Sequence, residues 1–259
     1  MNSLLKPTIS NLQRQTDLDL VCDGTPAFLL MIDSLLVSKP DDVKIIASGV
    51  QAYVAYAAAL DACGRSGRSV PVSEKAKQYG LKLLSLLGDF PDHPADSSAF
   101  SSFLVEIDDD QVSQLFWGGY GWATWIEYQA GSPESMIDLV KVEKIMLRVV
   151  EVDEAYYHGA AHIFLGAYYG SRPTLLGGKL QESRNHFDQA LLLNKRQFLP
   201  ALVAYAETYA KMTFDRQLFA SLLQEVLDFP ISKNPEQALV NLVAKRNARK
   251  LLDSIDIYF

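Results

Sequence analysis

Cysteine is scarce in this chain: among 259 residues only Cys22 and Cys63 occur. Two cysteines supply neither a disulfide framework nor a zinc-binding spacing, and they read as two unpaired thiols. Positive charge is also short. Lys and Arg number 24 against 31 Asp and Glu, a net charge of −7 with a pI near 5.1. Such a surface repels a phosphate backbone, which argues against general nucleic-acid binding. No stretch reaches the roughly 18 uninterrupted apolar residues of a membrane helix. The longest apolar region, Val50 to Leu60, contains Gln51 and is rich in alanine, which suits tight helix packing. Met1 leads straight into a polar segment, without a cleavable export signal.

Catalytic signatures are missing as well. Gly177 and Gly178 precede Lys179, but the spacing of a phosphate-binding loop is absent, and the pair reads as a turn before a helix. No serine stands in a Gly-x-Ser-x-Gly elbow, and neither cysteine has a nucleophile's local context. The histidines are His93, His158, His162 and His186. His158 and His162 lie four apart on an expected helix and so would share a face. A zinc hydrolase needs a glutamate beside the first histidine, where this chain has Gly159, and it needs a third ligand. Hydrogen-bonded core histidines are the plain reading. The reading is therefore of a chain that is not an enzyme, with no catalytic residue, metal or cofactor implied.

What is present is a folded composition, 49% hydrophobic and 21% charged. A globule of this size buries roughly 70–75% of its unfolded surface and needs no staple. Helix punctuation runs nearly throughout, and no strand run stands out. Thr25 with Pro26 reads as a cap and first turn, with Pro40 after that helix's end. Asp41 and Asp42 open a second helix with Ile45, Ile46, Gly49, Tyr53, Tyr56, Ala57 and Leu60 at helical spacing, and Gly64 stops it. Ser73 starts a third, to Gly88. Pro91 to Ser98 reads as a loop before a short helix near Ala99 to Leu104. Asp108 to Asp110 introduce a long helix ending at Gly131, and Ser132 with Pro133 begins another through about Val150. Asp153 opens a helix carrying Tyr157, Ala160, Ala161, Phe164 and Tyr168 on one face. A connection from Gly170 to Lys179 precedes its partner, marked by Leu180, Ser183, Phe187, Ala190 and Leu191. Helices around 198–211 and 215–228 follow, and Asn234, Pro235 and Gln237 form a capping-box arrangement for the last.

Pair starts near Asp110, Glu154 and Phe198 lie about 44 residues apart, the signature of a helical array. Ser183, Phe187 and Ala190 match the second helix of a tetratricopeptide-like hairpin. The expectation is an all-α chain, a single helical-repeat domain over 1–259, with 1–24 as an N-terminal extension and 25–259 as stacked helix pairs in an α-α superhelix. An ordinary helical bundle is the alternative.

The segment Leu115 to Tyr128 holds Trp117, Trp122 and Trp125 with Tyr120 and Tyr128, interleaved with Gly118, Gly119 and Gly121. A glycine within a helix costs up to about 1 kcal/mol relative to alanine. Two readings account for three of them: close helix–helix approach, or an aromatic-walled cleft with backbone exposed to ligand. Lys245, Arg246, Arg249 and Lys250 make the last helix basic, which reads as a solvated face or an intramolecular ion-pair partner rather than a docking patch.

Several stretches together resemble the T-component (TatT) family of tripartite ATP-independent periplasmic (TRAP) transporters. They are Thr16 to Val21 leading to Gly24 and Pro26, and Val112 through Leu115, Trp117 and Trp122. Leu139, Lys141, Val142 and Glu143 continue the pattern, then Arg148, Asp153, Tyr156, Gly159 and His162. His186-Phe187-Asp188-Gln189-Ala190-Leu191 is similar to the family's His-Phe-x-x-Ala-Leu. The tail adds Asn241-Leu242, Ala244, Arg246, Ala248-Arg249, Leu251-Leu252 and Phe259. The resemblance implies a tetratricopeptide-like, exported, lipid-anchored periplasmic protein. It implies a homotrimer that pairs with the transporter's solute-binding subunit, with a pore or cleft able to receive a small organic or hydrophobic ligand. It also implies a native start before Asn2, Met1 being a cloning start. Trp117, Tyr120, Trp122, Tyr157 and Phe164 are the expected ligand-path residues, because Trp and Tyr offer broad apolar contact with a polar edge. Two rival readings are a cytosolic helical-repeat scaffold holding a peptide, and a metal hydrolase centred on His158 and His162.

Overall fold

The computed structural model describes residues 2–91, 97–129 and 131–259, with helices throughout and no strand among them. His93 and most of the loop expected at 91–98 lie outside the described residues. The chain divides into two compact units, Met1–Asp153 and Glu154–Phe259.

The first unit holds α1 (Asn2–Gln13), α2 (Leu18–Ser38), α3 (Val43–Ala62), α4 (Ser69–Ser85), α5 (Ser97–Val105), α6 (Val112–Glu127) and α7 (Pro133–Asp153). Carboxylates set the starts. Asp17 accepts from the Leu20 amide at 3.0 Å, and Asp42 accepts from the Lys44 and Ile45 amides at 3.1 and 3.2 Å. Gly64 at φ 73° closes α3 as expected. Helix α3 is central, packing on α2, α4 and α6. By length and composition alone α2 and α3 are apolar enough to cross a membrane, although neither is an uninterrupted apolar run. Over half (56%) of the apolar stretch of α3 is buried inside the protein.

Four expectations need correction here. Helix α2 begins at Leu18, so Thr25 and Pro26 lie inside it. Asp17 has taken the cap, and the Cys22 carbonyl that Pro26 cannot serve instead accepts from the Tyr56 hydroxyl at 3.4 Å. Helix α4 starts at Ser69 rather than Ser73, its first turn pinned by the Ser69 hydroxyl donating to Asp61 at 2.9 Å. Asp153 closes α7 instead of opening the next helix. Most consequentially, Cys22 and Cys63 are not free thiols but a disulfide, with Cα atoms 6.8 Å apart. Cys22 sits in the first turns of α2 and Cys63 caps the end of α3. Antiparallel packing brings those two ends together, a fact that linear spacing does not encode.

The second unit holds α8 (Tyr156–Gly170), α9 (Leu180–Leu193), α10 (Pro200–Tyr205), α11 (Arg216–Asp228), α12 (Ala238–Asp253) and α13 (Ile255–Tyr258). A π-helical turn, Ala206–Ala210, extends α10. Phe187, Leu199, Leu202, Phe219, Leu223 and Ala248 are among its core residues. Ser183, Phe187 and Ala190 are all fully buried. The Ser183 hydroxyl donates to the Gly166 carbonyl at 2.7 Å, and Phe187 fills the space a side chain at Gly166 would take. Asn241, also fully buried, accepts from the Leu199 amide at 2.9 Å and donates to the Gln197 carbonyl at 3.0 Å. The capping box expected at Asn234 does not form. Asn234 donates instead to the Gln197 carbonyl at 3.5 Å, and a short 3-10 turn, Pro235–Gln237, precedes α12.

Candidate functional site

The three glycines of α6 each lie against a neighbouring helix. A Cβ on Gly121 would sit 2.5 Å from the Ala76 carbonyl oxygen of α4, and one on Gly118 would sit 2.6 Å from Leu84. One on Gly119 would sit 2.6 Å from Ile145 of α7. On α4, Gly80 faces the Gly118 carbonyl in the same way. Of the two readings of these glycines, close helix approach is what the geometry shows.

Two of the α6 tryptophans, Trp122 and Trp125, flank that contact with their ring nitrogens engaged. Trp122 is 2% exposed and donates from Nε1 to Asp138 Oδ2 at 2.8 Å. Asp138 also meets Lys77 Nζ at 3.1 Å and Lys141 Nζ at 2.9 Å. Lys77 lies over the Trp125 ring, 3.2 Å from its centroid, while Trp125 Nε1 donates to Glu74 at 2.7 Å. Burial raises the Asp138 pKa, but hydrogen bonds from Lys141, Trp122 and Lys77 outweigh it, and the carboxyl is held below its ordinary value. Asp33 plays a similar part nearer the N-terminus, accepting from Tyr53 at 3.0 Å and Tyr79 at 2.6 Å. Burial and that carboxylate push both phenols well above their usual range. Asp61 accepts from Tyr128 at 2.8 Å.

Of the expected ligand-path residues in this unit, Trp122 is thus fixed on Asp138. Trp117 is buried, and Tyr120 is half-buried. Trp117 and Tyr120 have ring centroids 5.9 Å apart, and Phe116 stacks on Tyr120 at 5.2 Å. Sequence reasoning missed Asp138 and Lys77. A signal existed: Asp138 falls in helical register with the buried Val142 and Ile145 of α7, where a carboxylate needs partners.

In the second unit, Tyr157 and Phe164 are both half-buried. Tyr157 meets Phe198 edge-on at 5.9 Å, and Phe164 stacks on Tyr168 at 6.2 Å. Burial pushes the Tyr157 phenol up to about 12. Tyr157, His158 and Gly159 all adopt left-handed backbone, with φ of 45°, 64° and 71°. Helical geometry resumes only after them, so Tyr157 drops out of the face expected with Ala160 and Phe164. His158 does not share a face with His162, which removes the geometric basis of the hydrolase reading. His158 stacks on Phe198 with centroids 5.0 Å apart. His162 turns instead to His186 of α9, their Nδ1 atoms 2.8 Å apart, and its Nε2 lies 3.4 Å from Glu154. His186 in turn stacks on Tyr169 at 5.7 Å. Burial lowers the pKa of all three histidines. For His186, burial and the neighbouring His162 bring it to about 4. Among the described residues no group of three or more His, Cys, Asp or Glu converges as a metal cage.

The family model of the TRAP transporter T-component matches residues 14–259. The chain belongs to that family. No curated protein matches it. This T-component spans the family model with its tryptophan helix, its disulfide-linked hairpin and its histidine pair all inside the matched region. Membership makes it an accessory component of TRAP transport rather than a member of an enzyme family. The basic stretch of α12 is partly drawn inward: Lys245 Nζ donates to the Leu227 carbonyl at 2.6 Å.

Proposed function

We propose that this T-component acts in the periplasm, lipid-anchored and homotrimeric, by docking the solute-binding subunit of a TRAP-type importer for small organic or hydrophobic solutes. The single observation that carries the compartment is the Cys22–Cys63 disulfide. Disulfides persist in oxidising compartments such as the periplasm and are rare in the cytosol. This disfavours the rival reading of a cytosolic peptide-binding scaffold.

The docking role finds support on α2. Leu20, Leu30, Met31 and Val37 are exposed there, Leu30 at 67% and Val37 at 86%. Leu20, Ala27 and Met31 follow one line of the helix and Leu30 and Val37 the next, with Asp23 and Ser34 between them, and apolar surface bordered by polar residues marks interaction surfaces. Of the expected ligand-path residues, Tyr120 in the first unit and Tyr157 and Phe164 in the second are partly exposed, and Trp117 and Trp122 are buried.

The test is isolation of the native protein from membrane and soluble fractions, with mass spectrometry of its N-terminus and of co-purifying proteins. An acylated cysteine ahead of Asn2 and a stoichiometric solute-binding subunit are expected. An unmodified Met1 in cytosol, without that subunit, would overturn the proposal.

A further inference from the structure

The paired histidines of α8 and α9 have a use that does not depend on the transport reading. His162 and His186 bring their Nδ1 atoms to 2.8 Å. On the far side of the His162 ring, Nε2 faces Glu154 Oε2 at 3.4 Å, and Glu154 is itself held by the Gln189 amide at 3.1 Å. With Glu154 on that side, the neutral tautomer of His162 that carries its proton on Nε2 leaves the Nδ1 lone pair directed at His186. In that tautomer the short contact is a hydrogen bond that His186 donates from Nδ1. The same carboxylate–imidazole arrangement is the one that orients a metal-bound histidine.

We propose that His162 and His186 form a two-imidazole chelate for a borderline divalent metal ion, Zn²⁺ or Cu²⁺, with Glu154 orienting His162. A tetrahedral ion about 2.0–2.1 Å from each nitrogen sets the two about 3.3 Å apart, so the rings need open by only about half an ångström. His186 is half-exposed and can pass its proton from Nδ1 to Nε2 through solvent. Both Nδ1 lone pairs then face the ion, with no net proton released. Imidazole nitrogens suit Zn²⁺ and Cu²⁺, and Cu²⁺ should bind more tightly. Two protein ligands leave the remaining positions to water or to an external carboxylate or imidazole. The bound ion would tie α8 to α9.

The experiment is calorimetric titration of the full chain, stripped with chelator, with Cu²⁺ or Zn²⁺ alone, alongside His186→Ala, His162→Gln and Glu154→Gln. Expected are one equivalent bound by wild type, loss of that equivalent in both histidine variants, and a weakening of at least about tenfold in Glu154→Gln. Copper electron paramagnetic resonance should show coupling to two imidazole nitrogens in wild type. Circular dichroism confirms that His186→Ala, at the more exposed member, remains folded. If wild type binds no more metal than folded His186→Ala, or the copper spectrum shows no imidazole nitrogen, the pair is a plain N–H···N hydrogen bond and the proposal fails.

Discussion

The indole Nε1 of Trp122 donates to the Asp138 carboxylate at 2.8 Å, deep between α6 and α7, with Lys77 and Lys141 closing the same carboxylate from α4 and α7. One buried anion thus joins three helices. Its removal would leave two cations, both largely buried, without their shared partner. Asp138→Ala should therefore cost about 3–5 kcal/mol of stability, measured by urea denaturation, the scale of breaking one side of a buried ion pair.

The same carboxylate gives a pH signature. Its folded-state pKa is depressed below the ordinary carboxylate value, so its stabilisation is present above that value and is lost as pH falls through the folded one. Melting temperature should drop between roughly pH 5 and pH 3 in wild type. The drop should be shallower in Asp138→Asn. Parallel curves would show that Asp138 does not set the acid limit.

Two glycine-to-alanine substitutions should move stability in opposite directions. Gly121→Ala drives a Cβ into the Ala76 carbonyl at 2.5 Å and should cost about 1–3 kcal/mol through overpacking. Gly24, in exposed mid-α2, has nothing within 4 Å of a Cβ, and Gly24→Ala should stabilise by about 0.5–1 kcal/mol through helix propensity. Gly119→Leu, which meets Ile145, should lower the melting temperature as Gly121→Ala does. Unchanged melting there would revive the open-cleft reading.

Protein isolated from an oxidising compartment should show no thiol reactive under denaturing conditions. Replacing both Cys22 and Cys63 with serine should cost about 2–4 kcal/mol, in line with cross-links that close loops of this order. Two free thiols in the native protein would contradict both the fold description and the periplasmic assignment.

The α2 stripe makes a separable prediction. Leu30→Asp with Val37→Asp alters exposed side chains, so stability should stay within about 0.5 kcal/mol of wild type per substitution. Affinity for the solute-binding subunit should fall at least about tenfold if the stripe lies in the interface core. Unchanged affinity by surface plasmon resonance would move the docking face elsewhere.

The sequence by itself determined the helical class, several helix ends and the family. The cap at Asp42, the stop at Gly64 and the packed Ser183-Phe187-Ala190 face follow from local chemistry, because a cap or an apolar stripe is specified within a turn or two of chain. The tertiary structure decided whatever joins residues far apart in sequence. Antiparallel packing of α2 on α3 made a disulfide of Cys22 and Cys63. The packing of α6 on α4 and α7 explained the glycine run, and it brought Trp122 and Lys77 to Asp138. Three left-handed residues at the start of α8 broke the register that would have paired His158 with His162, and gave His162 to His186 instead. Helical periodicity predicts which residues share a face only while the backbone stays helical, and a break of that kind arises from packing that no local window contains.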